Sequence, residues 1–117
     1  MQKVAEFTVP GKPVPMPRPR LAHGRVYMPA CLASYKYAIA WAAKAHVPEP
    51  LAGPVGVTVS FGLRGKGDID NLLKSVLDAL NGVGYYDDSQ VTFLQAELRR
   101  GGDEYTTIAI FTVENAE

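Results

Sequence analysis

The stretch from Asp68 to Val91 reads DIDNLLKSVLDALNGVGYYDDSQV, and its pattern decides the fold. At about 100° per residue, Asp70, Asn71, Lys74, Ser75 and Asp78 share one arc of about 140° on a helix. Leu72, Leu73, Val76, Leu77, Ala79 and Leu80 fill the complementary arc, which predicts one face in a core and one in solvent. Asp68 and Asp70 stand at the helix start, where carboxylates suit the unpaired N–H groups and the positive end of the dipole. Asn81-Gly82 and Gly84 end the helix. Asp87-Asp88 then arrive in a polar turn before an extended run. A tight return after the helix can bring this pair back toward it, and the path of neighbouring strands decides how far.

Four carboxylates, an amide and a lysine around one helix have two readings. Carboxylate oxygens and bridging waters hold hard cations such as Mg²⁺, and phosphodiester hydrolysis commonly uses such ions to activate water and neutralise developing charge. Against this, an Asp at a helix start is often only a cap. DDSQ after glycine is a good turn, and Asp70–Lys74 is an ordinary i,i+4 pair worth a few tenths of a kcal/mol. Gathering the acids costs repulsion that a bound cation offsets, which favours the metal site. The DxDN start lacks the later glycine and glutamate of an EF-hand loop.

Outward from this segment, Val4 to Val9 alternates as a strand. Residues 10–20 form a basic, proline-punctuated, extended arm. Leu21–Ala22 and Arg25–Tyr27 flank His23-Gly24 as a short hairpin. Pro29 to about His46 is Ala-rich and helical, ended by Val47-Pro48-Glu49-Pro50, with Leu32, Tyr35, Ile39 and Ala42 on one face and Trp41 on another. Val55 to Leu63 is a buried strand leading through Arg64-Gly65-Lys66-Gly67, a basic loop that matches no Walker motif. Val91 to Arg99 and Tyr105 to Val113 are strands expected to form a hairpin around Arg100-Gly101-Gly102-Asp103. The order argues for an α+β fold, a single domain over 1–117 with two helices on one mixed β-sheet.

A chain of 117 residues with 47% apolar content suits one core. Its formal charge of zero hides two halves: residues 1–66 carry nine Lys/Arg against Glu6 and Glu49, and residues 67–117 carry three against ten acids. A basic part suits phosphates and an acidic part suits metal, unless folding interleaves the two. Cys31 is alone, so no intrachain disulfide exists. With it, His23 and His46 cannot build a common structural zinc site. Neither a signal peptide nor a membrane span is expected, and a reducing cytoplasm is the natural setting.

The run DIDNLLK from Asp68 to Lys74, then DALNG from Asp78, then YDDSQV from Tyr86 to Val91 resembles the signature of the RusA family of Holliday junction resolvases. GKPVPMPRPR from Gly11 to Arg20 and RVYMP from Arg25 to Pro29 look like the opening of its phage and prophage members. The resemblance implies a homodimeric, Mg²⁺-dependent endonuclease that nicks four-way DNA junctions symmetrically, with Mn²⁺ a plausible substitute and no organic cofactor. Carried over by position, Asp68, Asp70 and Asp88 are the metal ligands, Asp87 a neighbour of open role, and Lys74 the catalytic lysine. It tips Lys12, Arg18, Arg20 and Arg25 of the arm and hairpin, with Arg64 and Lys66 of the Gly-rich loop, toward DNA contact. Two alternatives stand beside it: a phage nuclease acting broadly on branched or flapped DNA, and a non-catalytic DNA-binding module whose acids hold a structural ion.

Overall fold

The computed structural model describes residues 1–17, 21–22, 25–26 and 29–114, with only the backbone of 21–22 and 25–26. Strand β1 (Gln2–Pro10) is followed by the short pair β2 (Leu21–Ala22) and β3 (Arg25–Val26), helix α1 (Ala30–His46) and strand β4 (Val55–Leu63). Helix α2 (Ile69–Leu80), a 3-10 turn at Asp88–Gln90, and strands β5 (Val91–Arg100) and β6 (Tyr105–Thr112) complete the chain. The four long strands form one mixed sheet in the order β1-β6-β4-β5. This is the expected α+β arrangement. The short hairpin is present as Leu21 opposite Val26 and Ala22 opposite Arg25, while Tyr27 lies outside the described residues.

Strand β4 organises the rest. Its alternate residues Val55, Val57, Val59, Phe61 and Leu63 are each at most 3% exposed and face the helices. From β1 come Ala5, Phe7 and Val9, from β6 Ile108 and Ile110, and the helices bring Tyr35, Ile39, Ala43, Leu72, Val76, Ala79 and Leu80 into the same core. Burial of a Val, Leu or Phe contributes about 1.5–3 kcal/mol each, so this face dominates stability. The opposite sheet face is polar: Thr8 and Thr107 share a hydrogen bond of 2.9 Å, and Ser60 donates to Glu97.

Two helix registers differ from the expectation. On α1 the fourth core position is Ala43, with Ala42 half-buried beside it. On α2 Ser75 is fully buried, not in the solvent arc, and its hydroxyl donates to the Asn71 carbonyl. A small hydroxyl that bonds the preceding turn leaves no unpaired polar atom, so a wider stripe of the helix can be covered. Tyr35 crosses from α1 to β6, where its hydroxyl meets that of buried Thr106. Lys36 of α1 pairs with Asp78 of α2. Trp41 lies 66% exposed with Tyr37 beside it, their ring centroids 6.5 Å apart.

The expected hairpin of the last two strands is not formed. Strand β5 runs parallel to β4 on one side, and β6 runs antiparallel to β4 on the other, so β4 separates them. The reason is that β4, buried on its core face along its whole length, is covered on both edges, and α2 supplies the crossover that a parallel neighbour needs. The connection Gly101–Glu104 therefore bridges over the end of β4 at Gly62. A Cβ built at Gly62 would lie 2.2 Å from the Asp103 carbonyl oxygen and 2.5 Å from the Tyr105 ring. Among the described residues, no helix is long and apolar enough to cross a membrane.

Two outcomes follow. In urea titrations Gly62→Ala lowers stability by about 1–3 kcal/mol through overpacking. Gly102→Ala, with open space around it, stays within about 0.5 kcal/mol of wild type. Burial pushes the Tyr35 hydroxyl up to about 12, partly offset by its bond to Thr106. Its stabilising contribution is complete below its ordinary value of 10.0 and is lost as pH rises toward the folded value. Thermal unfolding midpoints measured across that window fall for wild type and fall less for Tyr35→Phe.

Candidate active site

Helix α2 begins where β4 ends, so the acids at its head sit at the carboxyl end of the central strand. Asp68 occupies the N-cap position with extended φ −89° and ψ 137°, yet its side chain makes no capping hydrogen bond. Its carboxylate is thus not committed to the cap that the simpler reading assigned it. Asp70 accepts from the Asn71 N–H at 2.9 Å. Asp68, Asp70 and Lys74 are exposed, and Asp70 and Lys74 are one turn apart on the open side of α2.

The described part of the proline arm, up to Pro17, lies against this helix head. Met16 donates its N–H to the Asn71 carbonyl at 2.9 Å, which pins the arm to the first turn of α2. Pro15, Met16 and Pro17 with Lys66, Gly67, Asp68 and Asn71 enclose an open cleft of about 360 Å³. Lys12 and Lys66 line an adjoining groove of about 600 Å³ between the arm and α1. The cleft thus sets one acid, Asp68, beside Lys66, with Lys12 in the adjoining groove. Arg18 and Arg20 lie outside the described residues, and Arg25 is described only as backbone in β3.

The second acidic pair is elsewhere. Because β5 is parallel to β4, the chain must return along α2 before β5 starts, so Asp87 and Asp88 lie at the amino end of the strands. A helix of 12 residues separates the two pairs, about 18 Å at 1.5 Å per residue. Among the described residues no three His, Cys, Asp or Glu side chains group where they could hold a metal ion. Asp87 caps the 3-10 turn, its carboxylate accepting from the Ser89 N–H at 3.1 Å, and the Ser89 hydroxyl first and this N–H second hold it below the ordinary carboxylate value. Asp88 is exposed in the first turn. Beneath them, burial raises the Tyr85 hydroxyl, as do the charges of Asp88, Asp78 and Asp87, and this hydroxyl donates to the Leu77 carbonyl at 2.8 Å. Gln90 fixes the turn: its Oε1 accepts from the Tyr86 and Asp87 N–H groups and its Nε2 donates to the Leu51 and Gly53 carbonyls.

Sequence reasoning missed one residue at the helix head. Arg100 ends β5 opposite Leu63, and its guanidinium donates to the Gly65 and Gly67 carbonyls, each at 2.8 Å. Only the parallel register brings it there, and a hairpin expectation hides it. Arg64, expected on DNA, has Nε donating to the Gly102 carbonyl at 2.7 Å and its N–H to the Glu104 carboxylate. Lys66, between the two glycines, is exposed.

Comparison with known proteins adds an independent observation. The family model described as Endodeoxyribonuclease RusA matches residues 10–111, which takes in the arm, the cleft, both acidic pairs and Arg100. The Bacillus subtilis (strain 168) protein YqaN, itself uncharacterized, is 36% identical over 118 residues, covering 77% of this chain and 83% of that protein. The match spans most of the sequence, and the chain belongs to the RusA endodeoxyribonuclease family.

Proposed function

We propose that this chain is a Mg²⁺-dependent endodeoxyribonuclease that resolves four-way DNA junctions with paired nicks as a homodimer. The observation that carries this reading is the cleft at the head of α2, where Asp68 borders Lys66 and the proline arm. Exposed carboxylates of Asp68 and Asp70 fit the ion: Mg²⁺ is usually held by one or two carboxylates, with waters and substrate phosphates completing its shell. Mn²⁺ takes the same oxygen donors. When bound, the ion acidifies water and draws charge from the scissile phosphate. Lys74 presents its ammonium one turn beyond Asp70, where it stabilises charge on the phosphoryl or leaving oxygen. Lys12 and Lys66, with Arg18, Arg20 and Arg25, neutralise flanking phosphates. Arg64 acts chiefly within the fold.

Asp88 enters this scheme from a second copy. A two-fold axis perpendicular to α2 runs the two copies of that helix antiparallel, which sets the tail of each beside the head of the other. Each site is then completed by Asp88 of the partner subunit, while Asp87 holds the turn. In such a dimer the acids of the tail face Lys66 and Lys74 beside the head, and exposed Tyr37, Trp41 and Tyr86 supply apolar surface near the tail. The two sites act on opposing strands, as paired nicking requires.

The test is cleavage of a synthetic four-way junction, with linear duplex and flap controls, in Mg²⁺ and in EDTA. Wild type yields paired nicks only with Mg²⁺, and Asp70→Asn binds the junction without cutting it. Asp70→Asn and Asp88→Asn, each inactive, regain nicking when folded together, because half of the dimers are mixed and each carries one whole site, about a quarter of the wild-type number. Junction binding without cutting by wild type refutes the enzyme. Equal cutting of flaps refutes junction selectivity, and an inactive mixture refutes the shared site.

A further inference from the structure

The loop Arg64–Gly67 carries Lys66 and delivers the chain to Asp68, yet it lies outside any helix or strand. Such a segment positions a site only if something fixes it. Two arginines do so reciprocally. Arg64 reaches from this loop to the Gly102 carbonyl in the connection between β5 and β6. Arg100 reaches back from the end of β5 to the Gly65 and Gly67 carbonyls on either side of Lys66. A third contact limits the loop from below: a Cβ at Gly67 would stand 2.8 Å from the Leu63 side chain.

We propose that Arg100 is a positioning residue of this site, its guanidinium spanning two carbonyls to set Lys66 and Asp68 against the first turn of α2. The inference rests on the nuclease reading above. Arg100 does not itself line the cleft and pairs with neither acid; it acts through the carbonyls of Gly65 and of Gly67, the second of which is part of the cleft wall. A planar guanidinium carries donors on separate terminal nitrogens and bonds both carbonyls in one rigid plane. The point charge of a lysine on a flexible stem cannot reproduce that fork. Arg99, next to it, is largely exposed and among the described residues reaches only Glu97 of its own strand, at 3.6 Å, which makes it the internal control.

The experiment compares wild type, Arg100→Lys, Arg100→Gln and Arg99→Lys as full chains. Mn²⁺ binding without DNA is followed by electron paramagnetic resonance, junction nicking is titrated with Mg²⁺, and unfolding midpoints and junction affinity in EDTA are recorded. Supporting residues behind metal ligands typically account for about 10–100-fold in metal affinity or activity. Arg100→Lys is expected to weaken Mn²⁺ binding and raise the Mg²⁺ midpoint of nicking within that range, with junction affinity in EDTA held; Arg100→Gln does the same, and Arg99→Lys matches wild type. Wild-type metal midpoints in both Arg100 variants overturn the proposal. So does a lowered unfolding midpoint with less active protein but unchanged metal midpoints, the mark of a purely structural residue. A wild type that binds Mn²⁺ and never nicks refutes the nuclease reading instead.

Discussion

The interior face of β4 is the constraint on which the molecule depends. Five alternate side chains, Val55 to Leu63, must be covered along their whole length, and both edges of the strand must be paired. Satisfying the first demand needs two helices on one face. Satisfying the second with the chain at hand places β5 on one side and β6 on the other. Every functional placement descends from this. The carboxyl end of β4 becomes the junction where α2 starts, where β1 hands over to the proline arm and where the bridge from β5 to β6 passes.

That convergence also explains the charge. A chain with no net charge brings cations from separate parts of its sequence beside the acids at the head of α2. Lys12 of the arm and Lys66 of the Gly-rich loop come to the carboxyl end of β4, where Asp68 and Asp70 also lie, while Asp78, Asp87 and Asp88 gather at the other end around Tyr85. Lysines held there attract the phosphates of a polyanion toward that end.

Much of the fold around the candidate site was legible because the strongest signals were local. The apolar stripe of α2 and the clean run of β4 fix their bounds, and the position of Asp68 at the helix head follows from them. Three things were not legible. A four-residue polar connection looks the same whether its strands pair or straddle a third, so the β5–β6 hairpin was expected and does not form. Ser75 reads as polar on a helical wheel, although its hydroxyl is satisfied within α2. Most consequentially, the separation of Asp87 and Asp88 from Asp68 is a property of parallel pairing, which no short stretch of sequence encodes. Arg100 is invisible for the same reason, since its meaning depends on Leu63 being its neighbour.

The strand order has a consequence for how the chain acquires its shape. The pairing of β1 with β6 joins Gln2 to Thr112, and β6 is also the strand that attaches β1 to β4. During synthesis β1 is therefore made first and waits longest, an unpaired edge until the final strand exists. The β4–α2–β5 unit can assemble before that, whereas closing the sheet must overcome the loop entropy of nearly the whole chain. The keystone of the sheet is the last strand to be laid, and the seam it closes holds the foot of the proline arm.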